Sequence, residues 1–414
     1  MPSAGDTTQI YTCSVGPISG DFGATSEQAP GVAVPEPTTL ALPGTGFAGI
    51  MATRRRRKGG GAGLDGPGRA GVTIGGKPRM PFMPLTPALA RLLAGRLSVP
   101  VIASPLFIIS NPDLVIAQCI AGVVGSFPAL NARPSGVLAD WICRIQDTLA
   151  THDAHHPDRL SAPFAVNQIV HRSNARLEED IAVCVEHRVP LVITSLGARP
   201  ELNEAIHSYG GIVLHDVIND RFARKAIEKG ADGLVAVAAG AGGHAGTLSP
   251  FALVSEIRQW FDGPIALSGA IATGGAVLAA QAMGADFGYI GSAFIATEEA
   301  NAAAGYKQAV VEGGADSIIY TNLITGVHGN YLRPSLIAAG LDPDNLPVSD
   351  PSKMNFGADK PKAWKDIWGS GQGIGAVDAV VPTAVLVARL VREYAAAKAR
   401  ITEPGMARGA LALA

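Results

Sequence analysis

Residues 233–246 read Gly233-Leu234-Val235-Ala236-Val237-Ala238-Ala239-Gly240-Ala241-Gly242-Gly243-His244-Ala245-Gly246. An apolar run passes into a loop with glycines at 240, 242, 243 and 246 and a single imidazole, His244. A short apolar run closed by glycine reads as a strand buried on both faces. Glycine lets the loop adopt positive φ and lets backbone approach a ligand closely. The expectation is a histidine on a small-residue loop at the C-terminal end of a buried strand, where parallel α/β proteins bind ligands. A loop histidine is more often simply solvated, so the surrounding chain has to decide.

The same pattern recurs on both sides. Apolar runs lie at 99–103, 122–126, 163–167, 190–194, 212–215, 233–237, 264–268 and 287–290. Between them lie helical stretches near 111–121, 136–150, 174–187, 200–209, 219–229, 250–260 and 273–283. Asn111-Pro112-Asp113 has the form of a helix start. Two-sided apolar runs fit parallel strands covered by helices on both faces. Eight of them in about 200 residues predict an α/β fold of the (β/α)8, or TIM barrel, type. A doubly wound open sheet is the alternative, but no Gly-x-Gly-x-x-Gly follows the first run. The barrel is assigned to residues 81–335. Residues 336–414 form a C-terminal irregular and helical extension that completes the site. Within it, 340–375 is irregular and lid-like, and a helix spans about 377–398.

Residues 1–80 do not share this pattern and read as a disordered leader and linker. Within them, 34–58 hold Val34-Pro35-Glu36-Pro37, a short apolar stretch and Arg54-Arg55-Arg56-Arg57-Lys58. This arrangement resembles a PEP-CTERM sorting tail, although the barrel pattern follows it. The apolar stretch is shorter than the roughly twenty residues of a membrane span, so membrane contact is not expected. The 414 residues are 47% hydrophobic and 16% charged with a formal net charge of −2. That composition belongs to a globular protein with no field for nucleic acid. Cys13, Cys119, Cys143 and Cys184 are scattered without Cys-x-x-Cys spacing, so neither a zinc site nor a disulfide framework is expected and a cytoplasmic location is. His152, His155 and His156 read as a surface loop, and no metal site is expected.

Two further loops bear on ligand chemistry. Ser268-Gly269-Ala270-Ile271-Ala272-Thr273-Gly274 follows the seventh run and Gly291-Ser292-Ala293-Phe294 the eighth. Barrel enzymes hold phosphate in these two loops, on backbone N–H groups and a helix N-terminus. Thr273 and Ser292 could add hydroxyls.

Together, Gly242-Gly243-His244-Ala245-Gly246, the two small-residue loops, the continuation to Thr297 and the late Gly371-Gln372-Gly373 resemble the nitronate monooxygenase family, formerly called nitropropane dioxygenases. The resemblance covers roughly residues 97–395 and implies an FMN-dependent TIM barrel. It implies that His244 is the active-site base and that Pro105 lies beside the isoalloxazine. It implies that Asn167 hydrogen-bonds the flavin and that Gly269, Ala270, Gly291 and Ser292 bind its phosphate. Gln372 would close the site, and Gly243 would leave room for the flat ring beside the imidazole. Ala270 stands where members commonly carry a second glycine, and His215-Asp216 stands where many place a lysine.

The implied reaction is oxidation of an alkyl nitronate, or its nitroalkane, with O2 to a carbonyl compound and nitrite. The alternative is an NAD(P)H-dependent reductase of a quinone or enoyl thioester on the same fold. A non-redox barrel for a phosphorylated metabolite would leave His244 incidental. The partners expected are small molecules, and a homodimer is the candidate assembly.

Overall fold

Eight parallel strands close into a barrel in a computed structural model that describes residues 85–348 and 366–402. They are β1 (Val101–Ala103), β2 (Gly125–Pro128), β3 (Phe164–Ile169), β4 (Leu191–Ser195), β5 (Ile212–Val217), β6 (Gly233–Val237), β8 (Ile265–Ser268) and β9 (Phe287–Ile290). The two-residue strand β7 (Gly243–His244) stands outside the barrel. Neighbours pair in the order β1-β9-β8-β6-β5-β4-β3-β2. Ala103 N–H to Val124 O at 2.8 Å and Val124 N–H to Val101 O at 3.1 Å complete the ring. The predicted (β/α)8 barrel is the observed fold.

Strand residues alternate between two cores. Ile102, Leu191, Ile193, Leu214, Val235 and Phe287 point inward and pack with Leu89 and Leu93 of the helix Pro87–Leu93. The alternate positions pack outward against the helices. Each fully buried Leu or Ile contributes roughly 1.5–3 kcal/mol of transfer free energy, so the interior is a filled core and not a channel.

Helix starts follow the sequence signals. Asn111 accepts from Leu114 N–H at 2.8 Å, Asn219 from Phe222 N–H at 2.9 Å and Thr273 from Ala276 N–H at 3.1 Å. Each side chain satisfies a donor with no intrahelical partner.

Three details differ from the sequence reading. His152 and His155 lie in the last turn of the helix Val137–His155 and His156 caps it, so these histidines are helical and not in a loop. The His152 and His156 rings stack at 4.4 Å, an i,i+4 arrangement that the helix continues to support. The C-terminal helix is Thr383–Thr402 and begins later than expected, because Pro382 biases Val381 toward extended backbone and Val381 pairs with Thr297. Finally, β10 (Ile318–Thr321) and β11 (Gly329–Leu332) form an antiparallel sheet with β7 in the order β10-β11-β7. The leader 1–80, with the sorting-tail stretch 34–58, and most of the lid-like 340–375 segment, at 349–365, lie outside the described residues. Among the described residues no helix is long and apolar enough to cross a membrane.

Candidate active site

The C-terminal ends of the barrel strands open into one cavity of about 850 Å3. His244, Pro105, Asn167, Gly243, Gly269, Ala270, Gly291 and Ser292 all line it. Eight of the nine residues that the resemblance assigns to the site therefore meet in one place. Gln372 is not among the lining residues, whereas its neighbours Gly371 and Gly373 are.

His244 is held by strand pairing as well as by its loop. Gly243 has φ 66, a conformation that suits glycine, and directs the chain into β7. There His244 pairs with Gly329 and Gly243 with Asn330. Asn330 Nδ2 also donates to Ala241 O at 2.6 Å, fixing the glycine loop to β11. The imidazole Nε2 lies 2.9 Å from Thr325 Oγ1. Burial pulls the imidazole pKa down to about 4, so the ring is neutral near pH 7 and can accept a proton.

The wall formed by β3, β4 and β5 is polar. Asn167 lies within β3. Its Nδ2 donates to Ile193 O at 3.0 Å and Ser195 Oγ at 2.8 Å. Both amide hydrogens are thus engaged, and Oδ1 is the group left to receive a ligand donor. Asp216 faces the cavity with its carboxylate bonded by the Ser195 hydroxyl and Leu196 N–H, yet burial raises its pKa to about 6. His215, one residue earlier, is buried outside the cavity with Nδ1 2.6 Å from Thr194 Oγ1. Burial lowers its pKa to about 4. The alternation of a strand separates these neighbours onto opposite faces.

The loops after β8 and β9 form the other side. Ala270 has φ 54, an uncommon conformation for a residue with a Cβ, and its N–H donates to Gly240 O at 3.2 Å. Thr273 does not join this wall; its hydroxyl caps the helix Gly274–Met283. That helix N-terminus is met by Glu393, whose Oε2 accepts from Gly274 N–H at 2.8 Å. An anion held here therefore rests on the loop backbone, not on that helix. Residues 369–373 lie across both loops. Gly371 N–H donates to Ser292 Oγ at 2.8 Å and Gln372 N–H to Gly240 O at 2.9 Å. A Cβ at Gly242 would sit 2.8 Å from the Gly371 nitrogen, so the glycine is needed for this close approach. The Gln372 side chain packs beside Gly240.

Several lining residues escaped the sequence reading. Tyr306 and Trp368 stack at 4.9 Å, within 6° of parallel, at one edge of the cavity. Arg133 lies over the Phe107 ring at 5.4 Å at another. Thr325 sits in the turn between β10 and β11, a stretch without a sequence motif. His328 itself is exposed and stacks on Tyr320, and His171 bonds Ser173 in its own turn. Among the described residues no group of three or more His, Cys, Asp or Glu side chains is placed to hold a metal ion.

A cavity this size with small-residue loops on one side and hydrogen-bonding groups on the other suits an elongated ligand with an anionic end and a flat polar ring. Residues 145–393 match the family profile described as nitronate monooxygenase. The chain belongs to the nitronate monooxygenase family. It is a flavin-dependent oxidoreductase enzyme with the TIM-barrel fold. A nitronate monooxygenase from Paraburkholderia phytofirmans is 27% identical over 335 residues, 71% of this chain and 92% of that protein. A carboxyl-CoA dehydrogenase from Mycobacterium tuberculosis is 23% identical over 210 residues, 50% of this chain and 58% of that one. The crystal structure of nitroalkane oxidase from Streptomyces ansochromogenes superposes with a TM-score of 0.60 at 22% identity, covering 76% of this chain and all of that one. Residues 33–57 match the PEP-CTERM protein-sorting motif.

Proposed function

We propose that this nitronate monooxygenase family member binds FMN and oxidises small alkyl nitronates, or the parent nitroalkanes, with O2 to a carbonyl compound and nitrite. The observation that carries the reading is the His244 imidazole on the wall of a cavity that the small-residue loops after β8 and β9 also line. FMN, when bound, supplies the redox chemistry and the reaction with oxygen.

The chain's own residues have these roles. The loops carrying Gly269, Ala270, Gly291 and Ser292 hold the phosphate, with Ala270's engaged N–H contributing least. Asn167 offers Oδ1 to a ring N–H, Pro105 sets the depth of the ring, and Gly243 leaves it room. Gln372 acts through backbone, keeping the 369–373 segment over the glycine loop. His244 accepts the α-proton of a neutral nitroalkane. A pre-formed nitronate needs no such transfer, and its negative charge raises the imidazole pKa and favours the protonated, hydrogen-bond-donating ring. In domain terms, 81–335 supplies the FMN barrel and 336–414 completes the site. A cytoplasmic homodimer acting on small molecules, without nucleic acid or membrane, accompanies this reading.

Nitrite release from ethyl nitronate in air by the FMN-loaded protein tests it. The reading expects release from both ethyl nitronate and nitroethane. Because only the nitroalkane needs a base, His244→Asn should reduce nitroethane turnover more than nitronate turnover. No nitrite from either substrate would overturn it.

A second reading has its own support. The cavity is near the upper end of small-molecule pockets, with an aromatic pair at its edge. It therefore accommodates a quinone or thioester reduced with NAD(P)H, and one relative's name is that of a carboxyl-CoA dehydrogenase.

A further inference from the structure

The hairpin that joins β10 to β11 places Thr325 against the imidazole, and the hydrogen-bond arithmetic there fixes a chemical property of the ring. Thr325 Oγ1 meets His244 Nε2 at 2.9 Å, Val327 O at 3.1 Å and Val327 N–H at 3.3 Å. A hydroxyl has one proton to donate and two lone pairs to accept with. The Val327 carbonyl can only accept, so it takes the hydroxyl proton. The Val327 amide can only donate, so it competes for a lone pair. A lone pair is then what Thr325 presents to Nε2, which must carry a proton. The reverse arrangement, with the Thr325 hydroxyl donating to Nε2, would leave the Val327 carbonyl without this bond.

We propose that Thr325 is a positioning residue that holds neutral His244 as the Nε2–H tautomer, making Nδ1 the basic nitrogen. Thr325 does this from outside the barrel, 81 residues along the chain. The backbone pairing of His244 with Gly329 and the Asn330–Ala241 bond keep the two segments in register. The consequence for a nitroalkane is a balanced proton transfer: the C–H bond breaks, its electron pair stays on the substrate as the nitronate, and the proton bonds Nδ1. The resulting imidazolium keeps its Nε2–H bond to Thr325. This role in turnover rests on the nitronate reading, whereas the tautomer itself does not.

The test uses the full chain with FMN bound and its nine histidines labelled with nitrogen-15. His244→Gln identifies the His244 signals by their loss. Long-range proton–nitrogen correlation spectra then report which ring nitrogen is protonated. The expected result is a protonated Nε2 in the wild type and in Thr325→Ser, with loss of that single form in Thr325→Val. Turnover of nitroethane should fall about two- to tenfold in Thr325→Val, the scale of one lost neutral hydrogen bond. It should stay near wild type in Thr325→Ser, and pre-formed ethyl nitronate turnover should change little in either variant. A wild-type His244 protonated on Nδ1, or a Thr325→Val spectrum identical to wild type, overturns the proposal. A protonated Nε2 that depends on Thr325, with no nitrite from either substrate, supports the assignment and overturns the nitronate reading alone.

Discussion

The backbone amide of Gly371 donates to the Ser292 hydroxyl oxygen at 2.8 Å. The loop after the last barrel strand is thereby tied to a segment 79 residues downstream. Ser292→Ala removes the acceptor and leaves the Gly371 amide without it. A net cost of about 0.5–1.5 kcal/mol follows from the lost bond. If Ser292 also contacts the phosphate, FMN affinity should fall about tenfold or more, the scale of a hydrogen bond to a charged group. Titrating the apoprotein with FMN and following flavin fluorescence checks this; unchanged affinity would remove Ser292 from the cofactor contacts.

Ala270 occupies the left-handed region at φ 54. That conformation costs a residue with a Cβ roughly 1–2 kcal/mol, while glycine loses about 0.5–1 kcal/mol through greater freedom in the unfolded chain. Ala270→Gly should therefore stabilise the apoprotein by about 0.5–1 kcal/mol, read by urea unfolding. A loss of stability would show that the methyl group's packing outweighs the backbone strain.

Asp216 gives a pH signature. Its carboxyl is raised from the ordinary aspartate value of 3.8 to about 6 in the fold, chiefly by burial. Between these values the native state binds more protons than the unfolded state, so this group's contribution to stability falls as pH rises. Above about pH 6 the native carboxylate costs on the order of 1 kcal/mol, after allowance for its opening onto the cavity. Asp216→Asn has no such titration. The stability of the variant minus that of the wild type should increase from about pH 4 to about pH 7 in the apoprotein. His215 and His244, both lowered to about 4, titrate in both proteins and largely cancel in the difference. A flat difference would show that Asp216 titrates alike in both states.

Much of the barrel was legible because its signals are local. β6 and β9 coincide with their apolar runs, and Asn111, Asn219 and Thr273 cap the helices whose starts they mark. The same locality explains what the sequence hid. β10 and β11 have four residues each, and β11 is Gly-Asn-Tyr-Leu, without the alternation that marks a half-buried strand. The pairing of β11 with β7 is a tertiary contact, so His244 read as a loop residue and Thr325 gave no signal at all. Gln372 was found through its motif, but the structure engages its backbone and places its glycine neighbours on the cavity. Thr273 looked like a phosphate ligand because the loop precedes a helix. Only the packing of Glu393 shows that this helix end is already occupied.

The most direct measurement of the central claim is anaerobic mixing of the FMN-loaded protein with ethyl nitronate and, separately, with NADPH or NADH, following the visible flavin absorbance. Nitronate oxidation predicts that ethyl nitronate bleaches the flavin band and that the reduced nicotinamides leave it unchanged. Bleaching by a reduced nicotinamide, with no change on adding ethyl nitronate, would contradict the account and assign the cavity to a reductase.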